Sequence, residues 1–81
     1  QNRPNPFYSA TIVSFSLPET QEVTLKFFNV SGGLLKVIND VFPKGLNQIE
    51  VYGKDLPTEG TIIYQLQTNT EVATKKMTLI R

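Results

Sequence analysis

The sequence predicts an all-β domain, an immunoglobulin-like antiparallel β-sandwich of about seven short strands. Apolar and polar residues alternate with a period of two in most of the chain, and no segment has the spacing of an amphipathic helix. Turn-forming residues recur about every eight to twelve residues, the spacing typical of sandwiches. Two sheets would then bury one face of each strand between them, and a small open barrel is the alternative packing.

The first half of the chain predicts three strands. In residues 11–17 apolar side chains alternate with polar ones until Pro18 ends the strand. Residues 23–28 form the second strand, with the last of them on the opposite face. The glycine pair at residues 32–33 supplies the positive φ angles of a tight turn, so the second strand forms a hairpin with a third at residues 35–42.

The second half predicts three more strands and a short apolar plug. Residues 43–45, Pro-Lys-Gly, indicate a turn before a fourth strand at residues 48–51. Residues 53–55, Gly-Lys-Asp, close that strand, and Leu56 is the plug. A fifth strand is predicted at residues 62–66.

The last strand is predicted at residues 72–80, after a turn at residues 68–70. Met77 and Leu79 share one face of it, whereas its first residue has the opposite parity, so we expect a β-bulge at residues 73–75. The predicted core consists of the inward-facing side chains Val13, Phe15, Leu17, Val23, Leu25, Phe27, Leu35, Val37, Ile49, Val51, Ile62, Tyr64, Leu66, Met77 and Leu79.

Composition argues against several classes of function. The 81 residues include no Cys and no His, so thiolate metal sites and the commonest general base are absent. Eight basic and seven acidic residues give a net charge of +1, which predicts no nucleic-acid partner. No apolar run approaches the roughly 20 residues of a spanning helix, so we expect no direct membrane insertion. We expect no enzyme, no cofactor and no metal.

Two blocks at opposite ends of the chain are the most informative motifs. Residues 4–7, Pro-Asn-Pro-Phe, predict a stiff lead-in to the first strand, because each Pro fixes its own φ and restricts the residue before it. Residues 75–81 attach two lysines to an apolar terminal strand. Both blocks have a structural interpretation, a stiff linker and a charged sheet edge, and a functional one, recognition by a partner.

In order and with compatible spacing, these blocks resemble the type A C-terminal sorting domain of the type IX secretion system (the Por secretion system) of Bacteroidetes-type bacteria. The family pattern runs Pro-Asn-Pro-Phe, Thr-x-Ile/Val-x-Phe-x-Leu-Pro, Val-x-Leu-x-x-Phe/Tyr-Asn-x-x-Gly, Gly-x-Asn, Leu-x-x-Gly with Tyr-x-Leu, and Lys-Lys-Met-x-Leu-Ile-basic. The matching segments are residues 4–7, 11–18, 23–32, 45–47, 56–66 (with one extra residue) and 75–81. One departure is Ile62, where the family often has Tyr.

The resemblance implies a non-catalytic signal. An upstream cargo domain of the same precursor would be directed through the type IX translocon, with an outer-membrane shuttle component as a further partner. The chain would pass the periplasm and reach the outer membrane, the cell surface or the medium. A sortase-type peptidase would cut the domain off, and the cargo would be released or attached to the surface.

By the same resemblance, residues 1–6 are the end of a linker and residues 7–81 the sorting domain. The implied recognition motif is Pro4, Asn5, Pro6, Phe7, Gly32, Gly60, Lys75, Lys76, Met77, Leu79, Ile80 and Arg81. The two glycines have a structural interpretation as turn residues. We also expect the last strand to offer a free hydrogen-bonding edge, which suits β-augmentation by a receptor.

Two other functions compete with sorting. An immunoglobulin- or fibronectin-like accessory module of a secreted hydrolase is compatible with the fold, although the absence of Trp argues against a sugar-binding platform. A small enzyme is disfavoured by the missing His and Cys and by a core too small for a pocket. The aromatic residues Phe7, Tyr8, Phe28, Phe42 and Tyr52 are less clearly core and are candidates for an exposed patch.

Overall fold

A computed structural model describes residues 2–80 and confirms the β-sandwich. A short 3-10 helix at Gly53–Asp55 lies between the fifth and sixth strands. The strands are β1 (Asn2–Arg3), β2 (Ala10–Leu17), β3 (Gln21–Phe28), β4 (Leu34–Phe42), β5 (Gly45–Tyr52), β6 (Gly60–Gln67) and β7 (Val72–Leu79). No helix among these residues is long and apolar enough to cross a membrane.

Two antiparallel sheets form the sandwich, one with the order β1-β2-β5 and the other with the order β4-β3-β6-β7. If the strands are lettered A, B, C, C′, E, F and G, these orders are A-B-E and C′-C-F-G. This is the strand arrangement of immunoglobulin-like domains, so the predicted fold class is confirmed.

The core lies between the sheets and follows the period-two pattern of the sequence. In β2, β3 and β5 every second residue is buried. Leu56 is fully buried, as predicted for the plug. The buried apolar side chains are Phe7, Val13, Phe15, Leu17, Val23, Leu25, Phe27, Ile49, Val51, Leu56, Ile62, Tyr64, Met77 and Leu79.

Strand β4 departs from the predicted core. The prediction that Val37 faces the core is wrong, because Val37 is 45% exposed, whereas Ile38 and Phe42 pack against the core. The reason is a register shift against β3 between Phe27 and Phe28, at which Leu35 is the extra residue of β4. Leu35, like Leu66 in β6, is partly buried at the margin of the core.

The bulge predicted at residues 73–75 is wrong. The register between β6 and β7 runs without a shift from Gly60 opposite Leu79 to Gln67 opposite Val72. Val72 therefore lies on the outer face of the sheet and is exposed. The outward position of Val72 agrees with the regular alternation of β7, so no bulge is needed to explain it.

The predicted turns are present, and an Asn side chain organises the first of them. Gly32 has φ +88° between β3 and β4, while Gly33 lacks a positive φ. The Asn29 Oδ1 accepts hydrogen bonds from the N–H groups of Ser31 at 3.0 Å and Gly33 at 2.8 Å. Gly60 also has φ +88°, at the start of β6. Both glycines therefore occupy left-handed positions that other residues rarely adopt.

Candidate functional site

The two ends of the chain meet at the edge of β7. Phe7 pairs in parallel with Leu79 as an isolated β-bridge. The Phe7 N–H donates to the Thr78 carbonyl at 2.9 Å, and the Ile80 N–H donates to the Phe7 carbonyl at 2.9 Å. Residues that are more than seventy positions apart in the sequence therefore form one local structure, which we call the joined ends (residues 4–7 and 76–80).

The Asn5 side chain extends this pairing where backbone groups are missing. Its Oδ1 accepts from the Thr78 N–H at 2.9 Å, and its Nδ2 donates to the Lys76 carbonyl at 3.4 Å. Pro4 and Pro6 have no N–H and cannot donate to a β ladder. The amide of Asn5, with one acceptor and two donors, thus takes the place of backbone groups between two prolines.

The Phe7 side chain also connects the paired chain ends to the hydrophobic core. It has no exposed surface and belongs to the same buried cluster as Met77 and Leu79. A Cβ at Gly53 would lie 2.9 Å from Leu79 Cδ1 and 3.2 Å from the Tyr8 carbonyl, so the absence of a side chain there gives Leu79 its room. The joined ends are therefore anchored by burial as well as by hydrogen bonds.

The linker interpretation of residues 1–6 does not fit their described part. Asn2 and Arg3 form β1, paired with Val13 and Ile12 of β2, and Asn2 is 1% exposed. The Asn2 Nδ2 donates to Thr11 Oγ1 at 3.1 Å. No pattern in the sequence predicts this strand, because two polar residues before a Pro carry no periodicity. The sandwich therefore begins no later than Asn2.

Pro4 is the first residue of the joined ends and directly follows β1. Its carbonyl accepts from Thr11 Oγ1 at 2.7 Å and from Asn2 Nδ2 at 3.2 Å. Segment 2–7 thus borders β2 in one sheet and β7 in the other. This arrangement corrects the expectation of a stiff, separate lead-in, because the proline-rich segment is docked along its length.

The residues of the predicted recognition motif fall into three structural groups. Three of them are core side chains, namely Phe7, Met77 and Leu79. Two are turn glycines, Gly32 and Gly60, of which Gly60 lies opposite Leu79. The remaining described residues are accessible or partly accessible at the joined ends or directly next to them, namely Pro4, Asn5, Pro6, Lys75, Lys76 and Ile80. Arg81 lies outside the described residues.

The lysine pair is solvent-exposed on both faces of β7. Lys75 lies opposite Tyr64, on the inward parity, but it is exposed because β7 is the edge strand of its sheet. Lys76 points to the outer face and is exposed as well. Neither ammonium group is buried, so both are accessible to a partner.

The expectation that the end of β7 offers a free edge for β-augmentation is wrong for residues 76–80. The Lys76 carbonyl, the Thr78 N–H and carbonyl, and the Ile80 N–H are bonded to Asn5 or Phe7. The prolines and the short length of the docked segment then leave little backbone for another strand to pair with. At this end of the folded domain, side chains rather than backbone groups are therefore available for binding.

Metal-ligating clusters and pockets are absent from the described residues. Within residues 2–80 no group of three or more Asp or Glu side chains is close enough to hold a metal ion, and no pocket is present.

No protein-family model, no curated protein and no solved structure matches this chain.

Replacement of Asn5 by Ala is expected to lower the free energy of unfolding by about 0.5–1.5 kcal/mol. The change removes the acceptor for the Thr78 N–H and the donor to the Lys76 carbonyl. Asn5→Asp keeps the acceptor and should lose less stability. Urea unfolding of the three proteins measures the difference, and equal stability of Asn5→Ala and wild type would contradict the role of this side chain.

Tyr64 is expected to make the stability of the domain sensitive to alkaline pH. Burial raises the pKa of Tyr64 above its ordinary value of 10.0, against a smaller opposing effect of the Asn2 backbone N–H. The folded state then holds the phenolic proton more tightly than the unfolded chain does. The contribution of the protonated Tyr64 side chain to the free energy of unfolding is complete below about pH 10 and is lost as the pH rises through the pKa of Tyr64 in the folded state.

Tyr64→Phe should remove this part of the alkaline loss in urea unfolding between pH 8 and pH 11. The Tyr64 hydroxyl has no hydrogen bond of good geometry among the described residues, so the substitution should cost little at neutral pH. Tyr52 retains some alkaline dependence, because its hydrogen bond and charge interaction with Glu50 also raise its pKa. Tyr8→Phe is the control, and an identical pH profile for both variants would contradict the prediction.

Proposed function

We propose that this chain is a non-catalytic C-terminal secretion signal of the type IX secretion system. In this proposal it directs an upstream cargo domain across the outer membrane and is then removed by a sortase-type peptidase. Its partners are the type IX translocon, an outer-membrane shuttle component and the peptidase. The cargo passes the periplasm and ends at the cell surface or in the medium.

One observation carries the proposal: the two motif blocks that define the resemblance come together in space. Residues 4–7 dock on the end of β7 through Asn5 and Phe7. A signal read as one surface requires its sequence motifs to be neighbours in the fold. A structural pairing of the chain ends would satisfy the same geometry, so the experiment must separate recognition from folding.

The exposed side chains at the joined ends are the proposed points of contact. Lys75 and Lys76 present two positive charges, and Ile80 is partly exposed beside them. A partner with acidic side chains around a small apolar surface is complementary to this arrangement. The buried residues Phe7, Met77 and Leu79 then support the surface without touching the partner.

The peptidase is proposed to cut before Asn2. Asn2 is buried and Arg3 is paired with Ile12, so a bond inside β1 is not accessible while the domain is folded. Peptidases act on extended, accessible chain, so the proposed cleavage site lies outside the buried and paired residues of β1.

The test is a fusion of residues 1–81 to a fluorescent reporter with an ordinary export signal, in a bacterium that has the type IX system. Delivery of the reporter to the surface or the medium is expected, and a strain without the translocon should retain it. A matched fusion with Lys75→Ala and Lys76→Ala should remain folded in the periplasm. Equal delivery with and without the domain would overturn the proposal.

The second candidate is an accessory module of a secreted hydrolase, which is favoured by the immunoglobulin-like strand order. Such modules hold or extend a catalytic domain without acting as a signal. Retention of the folded fusion in the periplasm, with a functional type IX system present, would support this alternative.

A further inference from the structure

Strand β4 lies at an edge of the four-stranded sheet that the joined ends do not cover. Among residues 2–80, β4 pairs with β3 on one side and with no strand on the other. It is nine residues long, and Val37 and Val41 on it are 45% and 61% exposed. A long edge with exposed apolar side chains is a template for pairing with another strand.

The sequence of this edge is complementary to itself in one antiparallel register. When two copies of β4 cross at Ile38, each Lys36 lies opposite Asp40 of the other copy, and Val37 lies opposite Asn39. Directly opposite residues of an antiparallel pair share a face, so both lysines meet a carboxylate. The two-fold axis through Ile38 repeats this ion pair on either side.

Other registers lose the charge match. Parallel pairing in register places Lys36 opposite Lys36 and Asp40 opposite Asp40, which is unfavourable. An antiparallel register centred on Asn39 instead of Ile38 places Asp40 opposite Ile38 and Lys36 opposite Phe42. The charges therefore select the register centred on Ile38 and select a second copy of the same strand as the partner.

We propose that β4 is a homodimerisation edge, through which two copies of this chain join their four-stranded sheets into one continuous sheet. The side chains are accessible for this purpose, since Asp40 is exposed and Lys36 is partly exposed. One oxygen of Asp40, Oδ1, accepts the Val41 N–H at 2.8 Å, and the other carboxylate oxygen is left for the partner's lysine. The interface is isologous, as in most homodimers.

The dimer leaves the joined ends accessible. In the sheet order β4-β3-β6-β7, strand β4 lies at the opposite edge from β7. Two copies would therefore present two sets of joined ends at the outer edges of the continuous sheet. The proposal does not depend on the secretion function and is tested separately from it.

The experiment uses charge reversal in the 81-residue chain and sedimentation equilibrium at low ionic strength. Asp40→Lys and Lys36→Asp each place like charges opposite one another in the homodimer. Each variant alone should raise the dimer dissociation constant at least about tenfold. An equimolar mixture of the two pairs Lys with Asp again and should associate more tightly than either variant alone.

The matched control is Glu71→Lys, a charge reversal in the exposed β6–β7 turn, which should leave the dissociation constant unchanged. Far-ultraviolet circular dichroism establishes that each variant is folded. In wild type, isotope-filtered nuclear Overhauser contacts between Ile38 of the two copies support the register. A wild-type chain that stays monomeric at about 1 mM, or a mixture that associates no better than its parts, overturns the proposal.

Discussion

Phe7→Ala is expected to lower the free energy of unfolding by about 3–5 kcal/mol, measured by urea unfolding at neutral pH. Phe7 is fully buried and belongs to the core cluster, so the truncation removes apolar contact and leaves a cavity. The stability of a small domain is roughly 5–15 kcal/mol in total. The loss of one side chain in the Pro-Asn-Pro-Phe block is therefore expected to remove between about a fifth and all of the stability of the domain, depending on where its total lies in this range.

The adjacent residue provides a matched control. Tyr8 is 72% exposed, and Tyr8→Ala should change the stability by no more than about 0.5 kcal/mol. Phe7→Leu, which keeps most of the apolar volume, should lose less than Phe7→Ala. If Phe7→Ala and Tyr8→Ala were equally stable, the anchoring of the joined ends by burial would be wrong.

The parts of the fold that followed from the sequence are those in which one face of a strand is buried and the other is solvated. In β2 the alternation of Val13, Phe15 and Leu17 with serines admits a single inward face. Strand β4 lacks this contrast, because Val37 and Ile38 offer apolar residues on both faces. The bulge at Leu35, which decides between them, depends on pairing with β3 and has no local signal.

The hydrophobic periodicity of the sequence also does not predict the contact between the two chain ends. The local motif Pro-Asn-Pro does not predict the hydrogen bond between Asn5 and Thr78, because these residues are 73 positions apart in the sequence. The sequence alone does not assign Phe7 to the core, since the period-two segment begins only after it. One local signal was available, a polar Asn held between two prolines, which marks a side chain that replaces a backbone donor and acceptor.

Among the proposed recognition residues, the structure separates those that hold the fold from those that face solvent. Met77 and Leu79 are buried, whereas Lys75 and Lys76 are exposed on the same strand. Removal of residues 77–81 would take away two core side chains together with the partners of Asn5 and Phe7. A secretion defect after that deletion would follow from unfolding alone and would say nothing about recognition.

Met77→Ala is therefore expected to lower the free energy of unfolding by about 2–5 kcal/mol. The double variant Lys75→Ala, Lys76→Ala should change the free energy of unfolding by no more than about 1 kcal/mol. The difference arises because Met77 is buried between the sheets, while the lysine side chains lie in solvent and Lys76 contacts Asn5 through its carbonyl. Urea unfolding of the purified variants gives the stabilities, and the reporter fusion gives the delivery. If the lysines are read by a partner, the double lysine variant stays as stable as wild type and loses delivery. A double variant that is equally stable and equally well delivered would remove the lysine pair from the proposed contact surface.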